Sequence, residues 1–413
     1  MVSVARKNLL EDLPRFLVAQ AGIMFAVSLV TIQTGIFNGF TRSTTQIIEH
    51  SQADIWVTSE SIVHLELSLP IPASTVNDAQ KIAGVASAEP LLLRGAIWRN
   101  SLREIVLVRI IGFDPSGQLF APKNITQGSV SALAQPYTVM VDGTNLKTLN
   151  VSNVGEVEEI ATLPAQVVGL TQGNRSIISN PFVFTSLANA NAYANSGQNA
   201  TLSCKVQAGS SDIQCTNVYT PPDPETTATP KPLAASDLIT HVLIQVQPGE
   251  DLQALKQRLE TALPNTRAFT QAELIRHNQQ FWQQRTGIGF ILGLSTVVGV
   301  IVGVVVVGQI LYSSVTDHLK EFGTLKAMGA SDWKIYGVIV EQSLWMAILG
   351  YVPSMILCYG VGAWTMATQG IMILITPVSA IAVFGVTVLM CVGSAAFAIQ
   401  KVTRVDPAIV FKA

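Results

Sequence analysis

The sequence predicts an α-helical membrane protein with four transmembrane helices and a large α+β extracytoplasmic domain inserted between helices 1 and 2. Three observations predict it. Of the 413 residues, 49% are hydrophobic and only 13% are charged, which is more apolar than a soluble chain of ordinary composition. The apolar residues are also gathered: residues 16–40 carry no charge, none occurs between Arg285 and Asp317, and none between Glu341 and Lys401. Such runs match the roughly 20 residues needed to cross about 30 Å of hydrocarbon. Residues 41–285 instead hold 16 basic and 20 acidic residues, with Gly/Pro turns between alternating strand patterns.

Along the chain, residues 1–15 read as a cytoplasmic amphipathic helix at headgroup level, with Leu9, Leu10 and Leu13 on one face beside Arg6, Lys7 and Arg15. Transmembrane helix 1 covers 16–40. Its apolar run exceeds that of a secretory leader and no small-x-small cleavage pattern follows, so it reads as a retained anchor. In the inserted domain, DIWV, PASTVNDAQKIAGV, SAEPLLLRGAIWR and EIVLVRIIGFD read as strand, helix and two strands, and HVLIQVQP, GEDLQALKQRLETALP and TRAFT as strand, helix, strand. These pieces, 41–114 and 238–270, form an α+β subdomain.

Residues 115–237 form a β-rich lobe with short strands such as YTVMVD, GEVEEIATL and AQVVGL. Within it, 195–236 are rich in Ser, Thr, Pro, Gly and Asn and read as an exposed loop. Cys204 and Cys215 sit at its base. They are either two free thiols or a bridge, which would close a loop of about a dozen residues and stabilise the fold by on the order of 2–3 kcal/mol. The oxidising compartment implied by the topology favours the bridge.

The stalk 271–285, QAELIRHNQQFWQQR, is helix-compatible and runs without a breaker into transmembrane helix 2, residues 286–313. Gly299 and Gly303 form a GxxxG pair there, a helix-packing device that works within one chain or across a dimer. Residues 314–341 are a polar island that must lie outside the hydrocarbon. Transmembrane helix 3 covers 342–367, a turn follows near Thr368–Gly370, helix 4 covers 371–400, and 401–413 form a tail. The short segments 1–15, 314–341 and 401–413 contain nine Lys or Arg, and the turn between helices 3 and 4 contains none. Both termini and the island are therefore expected to be cytoplasmic.

Several chemistries find no support. No G-x-x-x-x-G-K-[ST] loop is present, so ATP hydrolysis by that route belongs elsewhere. The five histidines have no metal-ligand spacing, and no nucleophile elbow occurs. Glu158 and Glu159 are adjacent in a strand, face opposite sides and read as a solvated edge. A net charge of −2 without a basic cluster gives a nucleic-acid partner no support. No ionisable group lies mid-span, which argues against an ion path.

Within the island, Lys320, Glu321, Gly323, Thr324, Leu325, Lys326, Ala327, Met328, Gly329, Ala330 and Ser331 resemble the coupling loop of FtsX-like and MacB-like ABC transporter permeases. Asp406 and Pro407 fit that family's Asp-Pro-Ala element, and the order of parts agrees along nearly the whole chain. GFDPSG at 112–117 and NPFVFTS near Asn180 resemble the DevC-like exporter branch of cyanobacteria; the Pro/Thr-rich insert with two cysteines departs from it. The resemblance implies that Lys320, Glu321, Gly323, Leu325, Lys326, Gly329, Ala330 and Glu341 couple the chain to a separate cytoplasmic ABC ATPase. That partner binds ATP and Mg, and this chain carries no cofactor and no catalytic residue.

It further implies a homodimer in the inner membrane whose large periplasmic domain drives export of a lipid, glycolipid or other hydrophobic substrate. A periplasmic adaptor, an outer-membrane channel and membrane lipids would be its further partners. Alternatives that share these features are a non-transporting relay that activates a periplasmic hydrolase and a lipoprotein-releasing permease; a membrane-tethered sensor or enzyme is the reading from a different class.

Overall fold

The computed structural model describes residues 13–174, 179–196, 200–206, 213–219, 229–285, 287–317, 331–369 and 371–403. Its helices are α1 (Leu13–Ser43), α2 (Gln46–His50), α3 (Ser74–Gln80), α4 (Leu146–Leu149), α5 (Leu187–Asn195), α6 (Leu252–Ala262), α7 (Gln271–Arg285), α8 (Ile288–Asp317), α9 (Asp332–Gln369) and α10 (Pro377–Thr403). The chain divides into two compact units, Met1–Phe40 with Thr286–Ala413, and Thr41–Arg285.

In the helical unit, Phe16–Ser43, Gly289–Val306 and Tyr336–Thr368 are long and apolar enough to cross a membrane, and Pro377–Gly393 is a shorter apolar stretch. Large apolar side chains such as Phe290, Val378 and Leu389 point outward, as expected where the solvent is lipid. Helix directions follow from the packing. Ser354 on α9 donates to the Met24 carbonyl at 3.3 Å and Cys358 to the Ser28 carbonyl at 3.8 Å, so α1 and α9 run parallel. Gly299 packs on Leu29 and Val30 while Gly303 packs on Ala26, so α8 runs antiparallel to α1. Tyr351 Oη donates to the Ala380 carbonyl at 2.9 Å, and its ring packs edge-on against Phe384, joining α9 to α10.

Helix boundaries differ from the sequence reading: α1 starts at Leu13, α8 runs to Asp317 and α9 starts at Asp332, so the helices extend past the spans 16–40, 286–313 and 342–367, and two further differences have a local cause. The stalk does not run unbroken into the next apolar helix: α7 ends at Arg285, Gly287 has φ +68 and α8 begins at Ile288. A backbone in the left-handed region interrupts the helix, and glycine adopts it without penalty. The last helix begins at Pro377 and not at 371. Pro377 has the fixed φ of a first helical residue, and Thr376 Oγ1 caps that turn by accepting from the Ser379 N–H at 3.1 Å. Residues 371–376 lie extended along α1, where the Leu374 N–H donates to the Gly35 carbonyl at 2.9 Å and Asn38 Nδ2 donates to the Leu374 carbonyl at 3.3 Å.

The second unit is built on one ten-stranded sheet. Its spine is β3 (Val85–Arg99), 15 residues long. The first half of β3 pairs with β13 (His241–Val246), which pairs with β1 (Ile55–Ser59), which pairs with β14 (Thr266–Thr270), all antiparallel. Helices α3 and α6 bury Ala79, Leu255 and Leu259 against Ile55, Val57, Val242 and Ile244. The second half of β3 pairs with β4 (Ile105–Phe113). From there the order runs through β9 (Phe182–Ser186), β6 (Thr138–Asp142), β8 (Leu163–Thr171) and β5 (Ile125–Gln127), while β2 (Ile71–Pro72) and β12 (Leu238–Ile239) pair as a separate two-stranded sheet. Strand β7 (Val157–Ile160) pairs with both β8 and β3, which closes six strands into a small barrel. Leu92, Trp98, Val108, Ile110, Val139, Val141, Val167 and Val183 fill it.

The subdomain boundary therefore does not fall at residue 114. Strand β4 belongs to the barrel and β3 to both parts, because one long strand offers a pairing edge to each. The stretch read as a loop over 195–236 contains a hairpin, β10 (Ala200–Val206) with β11 (Ile213–Tyr219); the alternation of ATLSCKV and IQCTNVY supplies it.

Candidate functional site

Of the residues implicated in coupling, Lys320, Glu321, Gly323, Leu325, Lys326, Gly329 and Ala330 lie outside the described residues. The flanking helices are described: α8 ends at Asp317 and α9 starts at Asp332. Trp333 in the first turn of α9 is 83% exposed, and Glu341 is half-buried on the same helix.

Gly299 and Gly303 face partners in the same chain. A Cβ on Gly303 would sit 2.8 Å from the Met390 sulfur of α10 and 3.0 Å from Cβ of Ala26 on α1; on Gly299 it would sit 3.1 Å from Leu29. The GxxxG pair is thus where three helices meet, and it is occupied within one copy of the chain. The closeness follows from the missing side chains, since apolar helices gain little by leaving lipid for one another and association rests on packing.

Cys204 and Cys215 are register partners, directly opposite on β10 and β11. Opposed residues of antiparallel strands have Cα atoms roughly 4.5–5.5 Å apart, inside the span a disulfide accepts. Cys358 and Cys391 are free and buried.

A cluster of polar side chains lies where α7 packs on the 60–69 loop and α2. His64 stacks on Phe281 with ring centroids 4.7 Å apart and lies 5.1 Å from Trp282. Burial pushes the His64 ring down to about 4, helped by the charge of Arg109. Its neighbour Glu66 accepts from Arg109 Nε at 2.9 Å and from the Ser179 hydroxyl at 2.7 Å. His241 Nε2 donates to the Leu65 carbonyl at 2.9 Å, and burial, outweighing the opposing effect of that bond, lowers this fully enclosed ring to about 4. An open cleft of ≈ 260 Å³ beside the joint is lined by Ile62, Val63, His277, Gln280, Phe281 and Gln284.

Glu158 and Glu159 do face opposite sides, but only one is solvated. Glu159 pairs with Arg99 at 3.2 Å. Glu158 is buried, and burial holds its carboxyl above the usual range. Strand β7 is the barrel's closing strand, so its inner face is covered. Among the described residues, no three His, Cys, Asp or Glu side chains converge to hold a metal ion.

Nothing in the sequence motifs marks Asn278, which packing of α7 on the 60–69 loop buries to 1% exposure. A signal was present. In α7, Gln271, Leu274 and Asn278 recur at i, i+3 and i+7, so an amide stands in the stripe that carries the helix's apolar contact.

A family model of the MacB-like periplasmic core domain matches residues 16–262, and one of the FtsX-like permease C-terminal matches 293–407. Among solved structures, the periplasmic region of MacB from Actinobacillus actinomycetemcomitans aligns at 9% identity, over 55% of this chain and 94% of that chain, with a TM-score of 0.33. The extracellular domain of the noncanonic ABC-type transporter YknZ from Gram-positive bacteria aligns at 10% identity, over 53% of this chain and 100% of that chain, with a TM-score of 0.34. No curated protein sequence matches.

Proposed function

Because the chain belongs to the FtsX/MacB-like family and is a permease subunit of an ABC transporter, we propose that it exports a lipid, glycolipid or other hydrophobic substrate as a homodimer. Permeases of this family work in the inner membrane with a cytoplasmic ABC ATPase. The segment containing Lys320, Glu321, Gly323, Leu325, Lys326, Gly329 and Ala330, with Glu341 beside it, seats on that ATPase, which holds ATP and Mg. This chain performs no catalysis. Both termini and the coupling segment are cytoplasmic, and α1, α8, α9 and α10 each cross the membrane. A periplasmic adaptor and an outer-membrane channel receive the substrate.

One observation carries the reading: the alternating directions of the bundle. With α1 parallel to α9 and antiparallel to α8, α1 ends and α8 begins at one end of the bundle, while α8 ends and α9 begins at the other. That arrangement suits a device that converts motion at a coupling segment into motion of an external domain, provided nucleotide favours one of two states.

The test uses the tagged chain purified from its native membrane. Recovery of a nucleotide-binding subunit whose ATPase rate responds to the permease and to added lipid extract is expected. Charge reversal at Glu321 together with Gly329→Pro should abolish the response without loss of membrane insertion. Recovery of no ATPase from an intact sample, or an unchanged response in the variant, refutes the docking assignment.

A further inference from the structure

Asn278 bonds to two segments that are each more than two hundred residues away in sequence. Its Nδ2 donates to the carbonyl of Thr44, just beyond the end of α1, at 2.6 Å. Its Oδ1 accepts the backbone N–H of Leu65 in the 60–69 loop at 3.0 Å. Both functions of the amide are used, the side chain is 1% exposed, and Leu274 one turn earlier is fully buried beside it. At the start of the same helix, Gln271 Nε2 donates to the carbonyls of Ile48 and Ser51 at 2.9 and 3.3 Å.

The loop that Asn278 holds is pinned from further sides. The Leu65 carbonyl accepts from His241 on β13. The next residue, Glu66, is bound by Arg109 of β4 and by Ser179. Leu65 thus faces the stalk and Glu66 faces the barrel, one peptide unit apart, with both polar partnerships largely shielded from water. Fully satisfied side-chain networks in a low-dielectric setting rigidify the elements they join.

We propose that Asn278 is a positioning residue that locks the two chain connections of the external domain, the segment after α1 and the stalk α7, into one joint. Through Leu65 and Glu66 it passes their displacement to β4 and the barrel. The proposal rests on the permease reading above and adds the route by which motion reaches the barrel.

The experiment uses the full-length permease with its ATPase in lipid nanodiscs, with spin labels at the exposed positions Leu102, in the β3–β4 turn, and Arg276, on α7. In the parent protein, trapping ATP with vanadate is expected to shift the Leu102–Arg276 distance distribution. In Asn278→Leu the basal ATPase rate should stay within about twofold while the distributions with and without nucleotide coincide. Asn278→Asp at pH 8 retains the acceptor for Leu65 but cannot donate to Thr44, and should lose the shift as well; it decides the matter if the leucine variant does not fold. A residue with a merely structural role would lower the melting temperature and leave the nucleotide-dependent shift intact, and that result overturns the proposal. A parent protein that neither binds an ATPase nor responds to nucleotide overturns the permease reading and this inference with it.

Discussion

Acidification should loosen the external domain through His241, and the size of the effect follows from its surroundings. The ring is fully enclosed, with Nε2 2.9 Å from the Leu65 carbonyl. A carbonyl only accepts, so Nε2 carries the proton and Nδ1 presents a lone pair. Nδ1 is buried and meets no partner, and protonating it would place a charge where neither water nor an acceptor can reach it. Burial accordingly lowers the ring from 6.5 to about 4, and His64 moves the same way to about 4, through burial first and Arg109 second. Both folded-state values lie below the unfolded value. As pH falls through 6.5, the unfolded chain takes up protons that the folded rings refuse, so stability is lost between about 6.5 and 4. At about 1.4 kcal/mol per pH unit, that interval amounts to roughly 3 kcal/mol for His241 and less for the partly enclosed His64.

The assay is urea unfolding of the full-length protein in nanodiscs at pH values from 8 to 4, followed by tryptophan fluorescence, to which Trp56, its ring 5.6 Å from that of His241, contributes. On unfolding near pH 5 the parent protein should take up between one and two protons at His64 and His241 together, in addition to uptake at His50, whose ring burial also lowers. His241→Leu should be less stable at pH 8 and have a slope shallower by about one proton. If His241→Leu keeps the parent slope, the buried ring is not the titrating group and the reasoning fails.

Three other outcomes are expected. Gly303→Leu should destabilise the helical unit by about 1–3 kcal/mol through overpacking, whereas Gly293→Leu, with nothing within 4 Å of a Cβ, should be tolerated; unfolding in mixed micelles compares them. Trp98→Ala should cost about 3–5 kcal/mol, since the ring is fully buried, its Nε1 donates to the Leu149 carbonyl at 3.2 Å, and its strand meets the closing strand β7 at this residue; hydrogen exchange should rise first in β7. Maleimide labelling of the unfolded chain should modify two cysteines without reductant and four with it, reporting the Cys204–Cys215 bridge; four in both conditions rules it out.

Much of the local structure was legible in the chain. DIWV, PASTVNDAQKIAGV and TRAFT become β1, α3 and β14 because strand and helix periods depend on residues at most four positions apart. The pairing of Glu158 with a covered face and Glu159 with solvent was legible only as alternation, since nothing in GEVEEIATL says that β7 closes a barrel. A helix start at Pro377 and a break at Gly287 were marked by the two residues most associated with helix ends, yet an uninterrupted apolar run on one side and a polar helix pattern on the other concealed them.

By itself, the sequence determined which segments are apolar enough for a bilayer, where the charged island and the inserted domain fall, and the family motif between Lys320 and Ser331. These are properties of composition and short-range spacing, and no fold can change them. Tertiary structure alone decided that β3 serves two subdomains, that Gly299 and Gly303 are spent on contacts inside one chain, that Cys204 stands opposite Cys215, and that Asn278 joins Thr44 to Leu65. Each of those depends on register or packing between separate elements, where a one-residue slip exchanges the buried face for the exposed one, and the energy that selects the register lies in the partner segment.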